Sequence, residues 1–337
     1  VMEKDENCPA ANLSHKFING DITAYQDVIN FGKFVDVLTI EIENVNIEAL
    51  EFLEKEGVKV IPSPSALKTI KNKILQKEFY AEHQIHSSSF VVLQSKKELV
   101  QHLHMLPAAQ KLATGGYDGK GVQLIKSEKD IDKGFDAPSV LEKMVEIDKE
   151  IAITVAVAQN QEMIAYPAVE MIFDPVLNLL DFQLCPANIT EVVLAKAVSL
   201  AKSVAKGFGS AGLFAVEMFV DKQGEVWVNE TAPRVHNSGH HTIEAHFSSQ
   251  FDMLWRILLD YPLGNVDMVM PSVMLNIIGA EGYSGNTKYE GLKEVLSIPN
   301  AFIHLYGKET TKPGRKMGHA TLMGMDVDVL LQGAKKV

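Results

Sequence analysis

Two acids on neighbouring apolar runs carry the first chemical signal in this chain. Glu217 interrupts the run 212–221, and Glu230 closes the run 225–230 behind Trp227, Val228 and Asn229. A carboxylate set among Val, Met and Trp is costly to bury unless a cation or hydrogen-bond donors meet it. Oxygen donors converging from two strands, with the Asn229 amide between them in sequence, suit a hard divalent ion such as Mg2+. The same acids would also serve as edge-strand or solvent-face residues, so register decides. A four-residue turn over 221–224 pairs Val220 with Glu225 and sets Glu217 opposite Val228, with Glu230 the diagonal neighbour on the same face, roughly 7 Å away. A three-residue turn sends the acids to opposite faces unless a bulge compensates.

Further groups able to do chemistry stand around this pair. Directly after Glu230 comes a loop dense in Arg234, His236, Asn237, His240 and His241. Its histidines, with His246, raise the question of zinc. Pro233, Asn237, Ser238 and Gly239 are loop formers, however, no cysteine is near in sequence, and no Glu stands inside a histidine pair as in HExxH. Upstream, residues 114–121 form a glycine-rich loop whose backbone amides and Lys120 suit an anion, with Lys111 on the run feeding it. A glycine-tipped hairpin would read the same way. Residues 141–150 offer an extended backbone for an adenine and Glu150 for a ribose, although a solvated strand end fits equally. Near the C-terminus, Lys308, Arg315 and Lys316 flanked by glycines can hold a phosphate monoester, or form a solvated basic turn.

The elements that must position these groups alternate along the chain. Strand, helix, strand over 34–41, 47–56 and 57–61 suggest a parallel α/β layer. A lysine-rich helix is expected over 65–83, then a small α+β unit with strands at 89–93, 108–113, 121–125 and 139–145 around a helix at 96–106. Long strands follow, with helices at 191–207 and 249–259. The 337 residues carry a net charge of −11, which argues against coating a nucleic acid but not against small anions held by local lysines. No apolar run reaches membrane-spanning length, and two cysteines are too few for a disulfide framework, so a reducing cytoplasm is expected. Residues 5–9 read as a loop leaving a strand, which suggests that a first strand is missing upstream of Val1.

Together these segments resemble the ATP-grasp superfamily and, within it, the 5-(carboxyamino)imidazole ribonucleotide synthase family of purine biosynthesis. The resemblance rests on residues 5–10, 36–43, 115–121, 228–240, 249–251, 262–264, 304–308 and 315–319, and the strings Ala-Pro-Arg234-Val-His236-Asn237-Ser-Gly-His240 and Arg315-Lys-Met-Gly-His319 are its most specific parts. It implies an α/β ATP-grasp fold of three domains: an incomplete N-terminal α/β domain (1–64), a linking helix (65–88), a lid with the glycine loop (89–148) and a C-terminal domain (149–337). It also implies ATP- and bicarbonate-dependent carboxylation of the amine of 5-aminoimidazole ribonucleotide through carboxyphosphate, in a homodimer. Glu217 and Glu230 would hold Mg2+. Lys73, Lys111, Gly116, Tyr117, Asp118, Gly119, Lys120, Gly121 and Asn229 would clamp ATP, with Glu142, Lys143, Met144 and Val145 at its adenine and Glu150 at its ribose. Arg234, His236 and Asn237 would form the bicarbonate site. Glu43, Tyr117, Asp118, Lys120, Lys308, Arg315 and Lys316 would bind the ribonucleotide.

The sequence departs from the family pattern in places. The opening Gly-Gly-Gly-Gln-Leu-Gly turn is absent, Glu-Asn-x-His becomes Glu170-Met171-Ile172-Phe173, an arginine is replaced near Ala158, and a proline becomes Val235. A non-catalytic nucleotide-binding relative, or a ligase for another acceptor, are the competing readings.

Overall fold

The structure, a computed structural model, describes residues 1–116, 121–173 and 180–335, with the side chains of Leu180 and Asp181 outside the description. Tyr117, Asp118, Gly119 and Lys120, all expected in the site, lie outside the described residues. At the N-terminus, β1 (Met2–Glu3) runs parallel to β2 (Ile18–Asn19). Helix α1 (Tyr25–Gly32) leads to β3 (Val37–Leu38), and α2 (Ile47–Lys55) leads to β4 (Lys59–Val60), which pairs with β3 in parallel. Val28, Ile29, Leu38, Leu50, Leu53 and Val60 form the core of this layer. The side chain of Asn46 caps α2 by accepting from the Ala49 amide at 2.9 Å.

The single helix expected over 65–83 is two helices, α3 (Pro64–Lys71) and α4 (Lys73–Glu82). Asn72 causes the break. Its backbone is extended (φ −116°, ψ 116°) and its side chain accepts from the amides of Ile74 and Leu75, so it caps the second helix and does not continue the first. The cap aims Lys73 at the site, and the Lys73 amide donates to the Ala113 carbonyl at 2.8 Å.

A small antiparallel sheet follows, built from β5 (Phe90–Leu93), β6 (Ala108–Leu112), β7 (Val122–Ile125) and β8 (Ser139–Lys143) in the order β5-β8-β6-β7. The segment expected as a helix over 96–106 is wound as 3-10 turns, with His102 outside helical geometry. The large sheet takes β9 (Ile147–Val157), β10 (Met163–Ala165), β11 (Val169–Phe173), β12 (Leu180–Cys185), β13 (Gly212–Asp221) and β14 (Val226–Ala232). Helix α5 (Glu191–Gly207) intervenes before β13, and α6 (Thr242–Ala245) and α7 (Gln250–Leu258) follow β14. Next come β15 (Ser272–Ile278), β16 (Gly285–Asn286), α8 (Leu292–Leu296), β17 (Ala301–Leu305), β18 (Thr310–Thr311), β19 (Lys316–Met323) and α9 (Val327–Ala334). Among the described residues the large sheet has nine strands in the order β14-β13-β9-β11-β12-β15-β19-β17, with β10 added beside β9, and β16 pairs with β18 apart from it.

Alternation along these strands separates structure from chemistry. Ile151, Ile153, Val155 and Val157 of β9 and Val216, Met218 and Val220 of β13 pack with Ala197, Ala201, Val204 and Ala205 of α5. Small side chains on the helix let it approach the sheet closely. The opposite face of β9 presents Glu150, Ala152 and Thr154, and Glu217 of β13 lies directly across from Ala152.

The hairpin differs from the four-residue turn expected above. Val220 pairs with Val226, and the Asp221 amide donates to the Glu225 carbonyl, so the tip is three residues long. Asp221 Oδ1 accepts from the amides of Gln223 and Glu225 while Gly224 takes φ +78°, which fixes the shorter tip. That register alone would send Glu230 to the α5 face. A register shift between Glu217 and Met218 prevents this: Met218 faces Val228, Glu217 faces Glu230, and Asn229 is the extra residue. Glu217 therefore stands opposite Glu230, not Val228, and the two acids are direct partners and not diagonal ones.

Candidate active site

Three lysines from two elements, α4 and β6, meet the acids. Lys73, at the start of α4, forms an ion pair with Glu230. Lys111 of β6 bonds Asn229 Oδ1 at 2.8 Å and pairs with Glu142 at 3.1 Å. Lys77, one turn along α4, reaches the other Glu142 oxygen at 3.3 Å, and Ser88 donates to that oxygen at 2.8 Å. Burial raises the affinity of Glu142 for a proton, but Lys111, Lys77 and Ser88 outweigh it and hold the carboxyl below its ordinary range. Glu142 is thus turned inward to anchor two lysines. The neighbouring residues Lys143, Met144 and Val145 line a cavity of about 460 Å3 with Ser87, Ser88, Ser89 and Trp227. Trp227 was not anticipated, although its place one strand step from the acid pair is visible in the sequence.

The two facing acids differ electrically. Glu230 is held down to about 2, chiefly by Lys73 beside it. Glu217 is pushed up to about 8 by burial and by the Glu230 charge, with Lys73 only partly offsetting them. Both lie on the floor of a cleft, walled by protein yet with 20% and 40% of the side chains of Glu217 and Glu230 open to solvent. Glu150 adds a third acid on the same face, raised to about 7 by burial. Glu217 and Glu230, directly across from each other, are hard oxygen donors of the kind that suit a divalent ion.

The loop after β14 brings His236 beside this set. His236 Nε2 lies 3.7 Å from Glu217 Oε1. The Ser238 amide donates to His236 Nδ1 at 3.3 Å, which assigns the proton of the neutral ring to Nε2, on the Glu217 side. Gln250, fully buried at the start of α7, clamps the loop: its oxygen accepts from the His236 amide and its nitrogen donates to the His236 carbonyl, each at 2.9 Å. A Cβ on Gly239 would overlap the Gln250 side chain, so glycine is required there. Asn237 opens the short 3-10 turn 237–239.

Arg234 continues the line. Its Nε lies 2.9 Å from Glu43 Oε1. Glu41, two residues earlier, is raised above its ordinary range by burial, with Arg234 opposing, Glu43 reinforcing and Lys308 opposing. It therefore sits between the Arg234 loop and the C-terminal cations. Lys308 is lowered by burial and by the Arg315 and Lys316 charges, and its Nζ donates to the Lys316 carbonyl at 2.8 Å. Arg315 donates to the Thr310 carbonyl at 2.7 Å. Lys308 also lines a second cavity of about 560 Å3 with Asn286, Thr287, Tyr289 and Gly307. Sequence reasoning chose Glu43 and passed over Glu41, whose signal was its place at the end of an apolar run. Gly116 and Gly121 approach so closely that a Cβ on Gly121, at φ +84°, would lie 2.9 Å from the Gly116 Cα.

The chain as a whole is similar to known proteins. A family model described as the ATP-grasp domain matches residues 78–251, one for the phosphoribosylaminoimidazole carboxylase C-terminal domain matches 272–333, and one for the ribonucleotide synthetase preATP-grasp domain matches 1–71. The N5-carboxyaminoimidazole ribonucleotide synthase of Bacillus subtilis is 31% identical over 339 residues, covering 98% of this chain and 87% of that protein. The chain belongs to the N5-carboxyaminoimidazole ribonucleotide synthase family of ATP-grasp proteins. The crystal structure of N5-carboxyaminoimidazole ribonucleotide synthetase from Thermotoga maritima matches with a TM-score of 0.91 at 36% identity, over 99% of this chain and 89% of that one. The Aspergillus clavatus synthase in complex with ADP and 5-aminoimidazole ribonucleotide matches with a TM-score of 0.90 at 34% identity, over 98% and 89%. The chloroplastic phosphoribosylaminoimidazole carboxylase of Vigna aconitifolia is 34% identical over 352 residues, and the chain spans 62% of its length.

Proposed function

We propose that this chain carboxylates the exocyclic amine of 5-aminoimidazole ribonucleotide, using ATP and bicarbonate and releasing ADP and phosphate. The observation that carries the proposal is the series of contacts Lys73–Glu230, Glu230 across from Glu217, Glu217–His236 and Arg234–Glu43, carried by β13, β14 and the loop that follows, with Glu41 under the influence of Arg234 and Lys308. On this reading a nucleotide end, an anion-binding middle and a phosphate-binding end would follow one another in the order that the reaction needs.

Bicarbonate is a weak electrophile. One of its oxygens takes the γ-phosphoryl group, ADP leaves, and the carboxyphosphate then loses phosphate as the amine nitrogen bonds its carbon and gives up a proton to the departing phosphate. Such a transfer asks for positioning and charge neutralisation more than covalent help. Lys73 and Lys111 would clamp the phosphates, and Lys143–Val145 and Trp227 would line the adenine cavity with Glu150 toward the ribose. Glu217 and Glu230 would hold Mg2+, which when bound supplies charge neutralisation at the phosphates. The planar Arg234 fork and the Asn237 amide would orient bicarbonate, and His236 would donate from Nε2. Lys308, Arg315 and Lys316 would take the ribonucleotide phosphate. Carboxyphosphate would hydrolyse in contact with water, so the reaction requires water to be excluded once the ligands are bound.

We further propose a homodimer working in a reducing cytoplasm. Its two cysteines, Cys8 and Cys185, are both free, and among the described residues no helix is long and apolar enough to cross a membrane. ADP release by the full chain is the direct test. Turnover is expected only when 5-aminoimidazole ribonucleotide and bicarbonate are both present. Nucleotide binding without turnover would support a non-catalytic relative, and turnover with another amine would move the acceptor.

A further inference from the structure

A second polar cluster lies on the same sheet face, away from the carboxylates. Among the described residues, Cys185, His241 and His246 offer ligand atoms that all lie within 4.8 Å of one another. Cys185 ends β12, His241 immediately precedes α6 and His246 immediately follows it. All three are buried, at 1%, 2% and 4% exposure. The sequence offers no cysteine near these histidines; the fold delivers one from 56 positions upstream of His241.

The histidines lack what buried imidazoles normally have. Both ring nitrogens of His241 and both of His246 are without a hydrogen-bond partner. An imidazole removed from water with no partner loses the full solvation of its polar atoms. Burial and the neighbouring histidines keep His241 well below its ordinary range, with a weak opposing pull from the Ser238 backbone, and burial alone lowers His246 to about 4. Burial likewise pushes the Cys185 thiol up to about 12. The rings meet edge to face, with centroids 5.0 Å apart and planes at 74°, an orientation that leaves their nitrogens free to converge.

We propose that Cys185, His241 and His246 bind one borderline first-row divalent ion, with zinc the best fit, and that this ion pins α6 and the loop carrying Arg234–Asn237 to β12. One sulfur and two imidazole nitrogens are a zinc donor set, and they are poor ligands for Mg2+. Tetrahedral zinc holds its ligand atoms roughly 3.4–3.7 Å apart, so side-chain rotations of about 1 Å close the present set. Ser272, across the ladder from Cys185 and with a buried hydroxyl that has no partner, offers the fourth position directly or through water. The thiol proton leaves to solvent as the thiolate binds. Three strand spacings separate Cys185 from Glu217 in the sheet, about 14 Å at ordinary spacing, so the two sites are distinct.

The test uses tag-free full-length chain loaded with Co2+ after chelation and desalting. In a Cys8→Ser variant the only thiol left is Cys185, and we expect one cobalt per chain with a thiolate-to-cobalt charge-transfer band and tetrahedral visible bands. Adding Cys185→Ser should abolish the thiolate band, and Zn2+ should raise the Tm of the Cys8→Ser protein by several degrees but not that of Cys185→Ser or His246→Gln. Excess Mg2+ should not displace the cobalt. No stoichiometric cobalt, or a missing thiolate band in the Cys8→Ser protein, overturns the proposal even if the other variants fail to fold. Binding that persists unchanged in Cys185→Ser and His246→Gln overturns it as well.

Discussion

At the scale of residues, the two facing acids have been given different tasks by their neighbours. Glu230 has Lys73, whereas Glu217 faces the charge of Glu230 with His236 Nε2 3.7 Å away. A carboxyl whose folded-state pKa is raised contributes stability that is complete below its unfolded value and is lost as pH rises through the folded one. For Glu217 that window runs from the ordinary 4.5 to about 8. The buried histidines, lowered to about 4 at His246 and His240, act in the opposite sense below about pH 6.5, so raw melting temperatures mix the two. The clean measurement is the difference between Glu217→Gln and wild type in chelator. We expect the variant to melt within about 2 °C of wild type at pH 5 and several degrees above it at pH 9. A gap independent of pH would refute the assignment of the shift to Glu217.

At the scale of elements, the hairpin was half legible in the sequence. The strands, the acids on them and the requirement that both share a face could be read from alternation. The three-residue tip and the extra Asn229 could not, because Asp221 selects the tip through its own side chain and a bulge leaves the hydrophobic pattern unchanged up to Val228. The bulge sets two successive residues against Glu217, so Asn229 serves Lys111 while Glu230 serves Lys73. Deleting Asn229 should therefore convert the bulge to regular ladder with Val228 still against α5 and Glu230 still across from Glu217. The expected outcome is a folded chain, within about 5 °C of wild type in Tm, whose ATP affinity falls by roughly 5- to 10-fold through the lost Lys111 bond. Calorimetric titration and melting curves check both parts. Collapse of the fold with the deletion would make the bulge a structural necessity instead. The break at Asn72 was missed for a similar reason: lysine-rich helical periodicity continues through it, and only the extended backbone and the side-chain cap reveal it.

At the scale of the whole molecule, the order of the functional segments could be read from the chain, but their meeting could not. Glu41 and Glu43 in the N-terminal layer come to Arg234 and Lys308 from opposite ends of the sequence. Nothing in spacing announces such a contact, and the same holds for Cys185 beside His241 and His246. Because the basic cluster of Lys308, Arg315 and Lys316 is separated from the Lys73–Lys111 end by the whole Arg234 loop, the two ends should be independently tunable. Arg315→Ala is expected to weaken ribonucleotide binding by about 10- to 100-fold, as loss of a charge-assisted bond implies, with ATP affinity changed by less than about twofold. Equal losses for both ligands, measured by titration, would show that Arg315 acts through the fold.

Lys73 touches three parts of the molecule: its amide holds the strand end at Ala113, its backbone starts α4, and its ammonium holds Glu230. In its resting form the cleft thus behaves like an ion exchanger already loaded with its own counter-ion. A divalent cation arriving alone would have to evict an ammonium that has nowhere to go. Arriving with a triphosphate, it would bring the anions to which that ammonium can transfer. If the proposed function holds, Lys73 thereby sets an order of arrival, with metal and nucleotide entering as one.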